Sequence, residues 1–193
     1  MDNFKDSGLG EDVLRAIADL GFETPTPVQA ETLPLILNSD RDLIALARTG
    51  TGKTGGFGLP LIDGIDTDVK DVQALILCPT RELCLQIARD FETYAKYRKD
   101  VRIAAVYGGA AASDQIRNIQ RGAQVVVGTP GRTLDLINRR KLKVGNITRL
   151  VLDEADEMLN MGFQEELDAI LGATPEEKQT LLFSATMPKE AIK

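Results

Sequence analysis

The chain has 193 residues, 43% of them hydrophobic, with 23 Lys and Arg against 29 Asp and Glu and a formal net charge of −6. That is the profile of one compact domain whose bulk charge does not attract nucleic acid or anionic membranes, so any such contact has to be local. No histidine is present, which excludes Ser–His–Asp and Cys–His catalysis and every His-ligated metal site.

The first 40 residues carry two predicted helices, over 10–20 and 27–37, ahead of any strand. From residue 41 onward, short apolar runs alternate with longer segments of helical spacing. The runs lie at 43–46, 74–78, 102–107, 124–127, 150–152 and 180–183. Most lack a two-residue alternation, as expected of strands buried on both faces of a parallel sheet. Between them, Leu83, Ile87, Phe91 and Tyr94 make one stripe of a helix over 80–97. Alternating β and α units imply a doubly wound α/β domain, a mostly parallel sheet with helices on both faces. Cys78 and Cys84 are too few for a zinc knuckle or a disulfide scaffold and read as reduced, small hydrophobes. The start shows no signal-peptide pattern and no apolar run nears ~18 residues, which predicts a cytoplasmic chain with no membrane span.

Each apolar run ends in Gly, Pro, a hydroxyl residue or an acid, and ligand sites of open α/β sheets lie beyond the carboxyl ends of the strands. The most specific ending is ARTGTGKT, residues 47–54. Thr49, Gly50, Thr51 and Gly52 form a turn whose backbone amides can face phosphate oxygens at the start of a helix. Lys53 supplies a point charge for the β- and γ-phosphates, and the Thr54 hydroxyl is a ligand for Mg²⁺. After the fifth run comes Asp153-Glu154-Ala155-Asp156. Asp153 can hold Mg²⁺ largely through water, and Glu154 can orient the attacking water where no histidine serves as base. Read alone, the same acids would complement a helix dipole.

Thr26, Pro27 and Gln29 within GFETPTPVQ, residues 21–29, fit a helix capping box. A second reading adds Phe22 stacking on a base and Gln29 pairing with the edge of adenine. Thr129-Pro130-Gly131-Arg132 reads as N-cap to N3 of a helix, an end that suits a phosphate, and Arg81 opens another helix after Thr80. Arg81 and Arg132 are also consistent with solvated or salt-bridged side chains. Likewise, Arg139-Arg140-Lys141 with Lys143 reads either as a solvated helix end or as an RNA-side patch. Gly55, Gly56 and Gly58 follow the phosphate loop, where each costs up to ~1 kcal/mol of helix propensity, an expectation of a looser helix.

GFETPTPVQ, ARTGTGKT, PTREL, the Gly108-Gly109 pair, TPGR, DEAD and SAT stand in the order and spacing of the DEAD-box RNA helicases, and the chain resembles that family over essentially its whole length. Phe4, 17 positions before Gly21, matches the family's isolated upstream aromatic. The resemblance implies a RecA-like ATP-binding lobe over 41–193, with residues 1–40 packed on it and carrying adenine recognition. It implies that Phe22, Thr24 and Gln29 meet the adenine. Thr49 to Thr54 would hold the phosphates of ATP or ADP and Mg²⁺, with Asp153 and Glu154 as the acid pair. Ser184 and Thr186 would bond toward Asp156 and couple nucleotide state to strand separation. Pro79, Thr80, Arg81, Gly109, Thr129 and Arg132 would grip RNA through its backbone.

The family's second helicase lobe, which supplies arginines to the γ-phosphate, is absent from these residues. The expectation is therefore the amino-terminal lobe of a longer enzyme that binds nucleotide but does not unwind alone. The alternatives are a stand-alone nucleotide-binding interaction module without turnover, or a P-loop ATPase acting on protein or DNA.

Overall fold

The computed structural model describes residues 1–48 and 50–187. A short 3₁₀ turn at Phe4–Asp6 leads into α1 (Glu11–Asp19) and α2 (Pro27–Asn38). Then follow β1 (Leu43–Leu46), α3 (Lys53–Asp63), β2 (Ala74–Leu77), α4 (Arg81–Tyr94), β3 (Ile103–Val106), α5 (Ala112–Gln120), β4 (Val125–Gly128) and α6 (Pro130–Asn138). The chain closes with β5 (Arg149–Asp153), α7 (Ala155–Asn160), α8 (Gln164–Ala173) and β6 (Gln179–Ser184). All neighbouring strands pair in parallel, in the order β1-β6-β5-β2-β4-β3, so their carboxyl ends share one edge of the sheet.

Two apolar layers follow from the pleat, because successive side chains of a strand point to opposite faces. Ile76, Val125, Val127, Val151, Leu181 and Phe183 belong to one buried cluster with residues of α1, α2, α3 and α4. Leu75, Leu77, Ala104, Val126, Leu150 and Leu152 belong to the other, with residues of α5, α6, α7 and α8. Phe4, Val13, Ile17, Leu33 and Ile36 lie in the first cluster, so the opening 40 residues share the core of the sheet. At the surface, Asp19 of α1 accepts hydrogen bonds from Lys96 Nζ at 2.8 Å and from the Tyr97 hydroxyl, and the Arg15 guanidinium stacks 4.1 Å from the Tyr97 ring centre.

Burial on both faces holds for the inner strands β2, β4 and β5 but not for β1, where Ile44 is 48% and Leu46 61% exposed. The physical reason is position: β1 is an edge strand, paired to β6 alone.

The glycines of α3 have a packing reason. A Cβ on Gly55 would sit 2.7 Å from Gln29 Nε2, one on Gly56 2.8 Å from Thr32 Oγ1, and one on Gly58 2.5 Å from Phe91 Cε1. Their absent side chains let α2 and α4 press against an unbroken helix, and all three are buried. At the far end of α3, Arg98 donates to the carbonyls of Ile62, Asp63 and Ile65 at 2.6, 2.9 and 2.8 Å. Carbonyls at and just past a helix end are short of intrahelical partners, and the Ile62 carbonyl receives only a long 3.5 Å bond from the Ile65 amide besides its contact with the Gly64 amide. Arg98→Ala is therefore expected to cost about 2 kcal/mol or more, since bonds to a charged donor contribute on the order of 1.5–3 kcal/mol. Chemical denaturation would read this as a lowered midpoint at constant slope.

Candidate functional site

β1 delivers the chain into a loop that ends at α3. Gly50 and Gly52 both adopt left-handed backbone, with φ of 85° and 82°, a conformation that glycine reaches without a Cβ penalty. The Thr51 hydroxyl donates to the Arg48 carbonyl at 2.6 Å. Thr49, named among the phosphate contacts, lies outside the described residues. The loop rests on the amino end of α2, where the capping box is fully formed: the Thr26 side chain accepts from the Gln29 amide and Gln29 Oε1 accepts from the Thr26 amide at 3.0 Å. Gln29 Nε2 also donates to the Gly52 carbonyl at 2.9 Å. One amide side chain thus ties the helix cap to the loop while keeping one N–H and one lone pair to spare. Phe22, 39% exposed, stacks on buried Phe4 at 6.4 Å between ring centres and 24° between planes, and Thr24 is exposed.

Lys53 opens α3 and is buried. Its ammonium lies 3.0 Å from Asp153 Oδ1 and 3.7 Å from Glu154 Oε1, at the end of β5. Asp153 is fully buried, and that burial pushes its carboxyl above the usual range while the ammonium pulls it back. Asp153 Oδ1 also accepts from the Glu154 amide at 3.0 Å, whereas buried Oδ2 has no hydrogen-bond partner among the described residues. Glu154 holds a left-handed backbone, φ 53° and ψ 50°, an uncommon conformation for a side chain with a Cβ that is typical of functional turns.

An orphaned carboxylate oxygen in this position, with Thr54 following Lys53 in the first turn of α3, suits a hard divalent cation. No group of three or more protein carboxylates or thiolates converges among the described residues, so such an ion would complete its shell from water and phosphate oxygens.

Asp156, in the first turn of α7, ties this strand end to β6. The Asp156 amide donates to Ser184 Oγ at 3.2 Å, and Asp156 Oδ2 accepts from the amide and the hydroxyl of Thr186 at 3.2 and 3.1 Å. Partial burial works to raise the Asp156 carboxyl, but the bonds from Thr186 and Ser184 outweigh it and hold the group below its ordinary range.

A second group gathers at the carboxyl ends of β2, β3 and β4. Pro79 and Thr80 follow β2, and the Thr80 side chain caps α4 by accepting from the Leu83 amide at 3.2 Å. Arg81 lies over the Tyr107 ring at 5.0 Å from its centre, beside Gly109, whose φ is 81°. Thr129 is the N-cap of α6 and Pro130 its first residue, yet the Thr129 side chain makes no capping bond. Arg132 donates to the Ala110 carbonyl at 3.2 Å and to Gln115 Oε1 at 2.9 Å. Gln115 in turn bridges Tyr107, accepting from its amide at 3.2 Å and donating to its carbonyl at 3.0 Å.

Sequence reasoning did not single out Tyr107 or Gln115. The available signal was Gln115 beside Ile116 and four residues before Ile119, a buried amide on the apolar stripe of α5; such a group requires partners.

The DEAD/DEAH box helicase family matches residues 26–193. The chain is 53% identical over 188 residues to the ATP-dependent RNA helicase CshA of Listeria monocytogenes, spanning 97% of this chain and 36% of that protein. It is 53% identical over 187 residues to the RNA helicase CrhR of Synechocystis sp., again 97% of this chain and 37% of the relative. The crystal structure of a DEAD box protein from the hyperthermophile Methanococcus jannaschii superposes with a TM-score of 0.95 at 46% identity, over all of this chain and 52% of that one. The chain thus spans little more than a third of the length of the curated relatives it matches.

Proposed function

The chain belongs to the DEAD/DEAH box helicase family, and on that premise we propose that it is the ATP-binding lobe of an ATP-dependent RNA helicase, coupling hydrolysis to RNA binding and local duplex opening when joined to a second lobe. The observation that carries the reading is the buried contact of Lys53 with Asp153, 3.0 Å apart between the glycine loop and the acidic strand end. In the proposed site, Lys53 and the amides of Gly50, Thr51 and Gly52, together with Thr49, bind the phosphates of ATP or ADP. Phe22, Thr24 and the spare capacity of Gln29 meet the adenine.

Thr54 and Asp153 would hold Mg²⁺, which neutralises charge on the phosphate oxygens. Glu154 orients water for attack. Asp156, with Ser184 and Thr186, braces the acidic turn against β6, so that a shift of the acids is felt along that strand. The cluster of Pro79, Thr80, Arg81, Gly109, Thr129 and Arg132 takes the RNA backbone on the same edge, with residues 1–40 serving the base side and 41–193 the phosphate side. A lobe of this kind turns over slowly by itself and does not unwind, because arginine donors from a partner lobe contribute on the order of 10³–10⁵ in rate in phosphoryl transfer. The reading places the protein in the cytoplasm, where its RNA substrates are.

Calorimetry with ADP and GDP tests the nucleotide half. The parent chain is expected to prefer ADP, and Gln29→Ala to narrow that gap while costing about 1–2 kcal/mol through the lost bonds to the Thr26 amide and the Gly52 carbonyl. An unchanged preference would reduce Gln29 to a structural cap. For the RNA half, contact with about four phosphates gives a salt slope near −3 on a single strand. A parent enzyme whose ATPase ignored RNA would sink the assignment.

A further inference from the structure

The opposite edge of the sheet is also shaped to meet a ligand. The chain segments entering β2, β4 and β5, adjacent strands in the sheet, enclose a cleft of about 620 Å³ lined by Lys70, Arg140, Lys141 and Lys143. All four side chains are exposed, and none lies within ion-pair distance of a carboxylate among the described residues. The one acid on the rim, Asp71, is engaged by Asn146 Nδ2 at 2.9 Å. Four unpaired cations around one concavity stand out on a chain of net charge −6, and concave basic walls focus the potential toward an anion.

A second, independent observation lies in the backbone. α6 ends with the Lys141 amide donating to the Leu136 carbonyl at 2.9 Å. This arrangement puts Arg140 at the position past the helix end that glycine usually occupies. Arg140 adopts φ 56° there, a left-handed conformation that disfavours any residue with a Cβ. An arginine kept in a strained position that a glycine would relieve points to a use for its charge.

We propose that this cleft is an auxiliary RNA surface, binding the phosphate backbone of the strand held on the other edge. The proposal rests on the RNA reading above. Among the described residues no aromatic side chain lines the cleft, so bases have nothing to stack on and contact goes to phosphates without sequence preference. β2, β4 and β5 are only four or five residues long, and at ~3.3 Å per residue the two edges lie roughly 13–17 Å apart. An RNA strand long enough to pass around the helices flanking the sheet can therefore reach both.

The test is a titration of the ¹⁵N-labelled 193-residue chain with oligouridine, followed by amide shifts and by anisotropy across a salt series. The amides of Gly122, Lys141 and Gly145 are expected to move along with those of Gly109 and Gly131. Lys141→Glu with Lys143→Glu should silence the first group and leave the second, making the salt slope less negative by about 1.4, two phosphates at 0.7 each. Arg140→Gly should raise the melting temperature while removing about 0.7 from the slope. Amides at Gly122 and Lys141 that stay still, or that respond to polyglutamate as strongly as to oligouridine, overturn the proposal. Silence at Gly109 and Gly131 would instead count against the RNA reading itself.

Discussion

Lys53→Ala is expected to lose both nucleotide binding and a large part of the fold's stability. The ammonium sits 3.0 Å from a fully buried carboxylate, and removing one partner of a buried pair leaves the other uncompensated, at a cost of about 3–5 kcal/mol. Loss of the proposed charge-assisted contact to phosphate costs a further 2–5 kcal/mol of affinity, roughly 30-fold or more. The two effects separate in Lys53→Met with Asp153→Asn, which removes the stranded charge. That variant should regain most of the stability and none of the ADP affinity. Denaturation midpoints and calorimetry read the two quantities independently. Unchanged ADP affinity in the folded Lys53→Ala protein would contradict the phosphate assignment.

The second large effect is expected at Gly128, the last residue of β4. A Cβ there would overlap Thr133 Oγ1 and stand 2.7 Å from Val106 Cγ2 and 3.3 Å from the Val106 carbonyl. Overpacking of this kind costs roughly 1–3 kcal/mol, and more where backbone blocks relief. Gly128→Ala should therefore lower stability by about 3 kcal/mol and displace Thr129 and the start of α6. Buried Thr133 Oγ1 has no hydrogen-bond partner among the described residues, so Thr133→Ala alone is cheap, and adding it to Gly128→Ala should recover part of the loss. A double-mutant cycle on melting midpoints measures this coupling; strict additivity would show that the contact does not limit the site.

The α/β class was legible because the apolar runs are short and separated by helical stripes, and β1 was read to the residue. Strand order was not, since no local pattern says that β6 inserts between β1 and β5. The exposed face of β1 follows from that order, and its apolar residues could not announce it. In the candidate site, the loop glycines stand close together in the chain, as the acids do about 100 residues later, and each set was visible as a motif. The ties that set them in place run across the fold, from Gln29 to Gly52 and from Lys53 to Asp153. The glycines of α3 mislead a reading by propensity alone, because their role is defined by neighbours in α2 and α4. Arg98 gave no signal at all; it looks like any surface arginine until the end of α3 is seen in its reach.

α3 begins at the phosphate loop and α4 begins at Arg81, yet Gly58 meshes with Phe91 and Tyr94, and Arg98 pins the distal end of α3 to the turn after α4. The two helices form a yoke, joined at mid-length and at the foot, with each free tip at a different one of the two proposed ligand sites. Because a close-packed joint transmits strain instead of absorbing it, the tips keep a constant separation. In the helicase proposed above, motion linking ATP to RNA would then be a displacement of this whole block, with the hinge outside it.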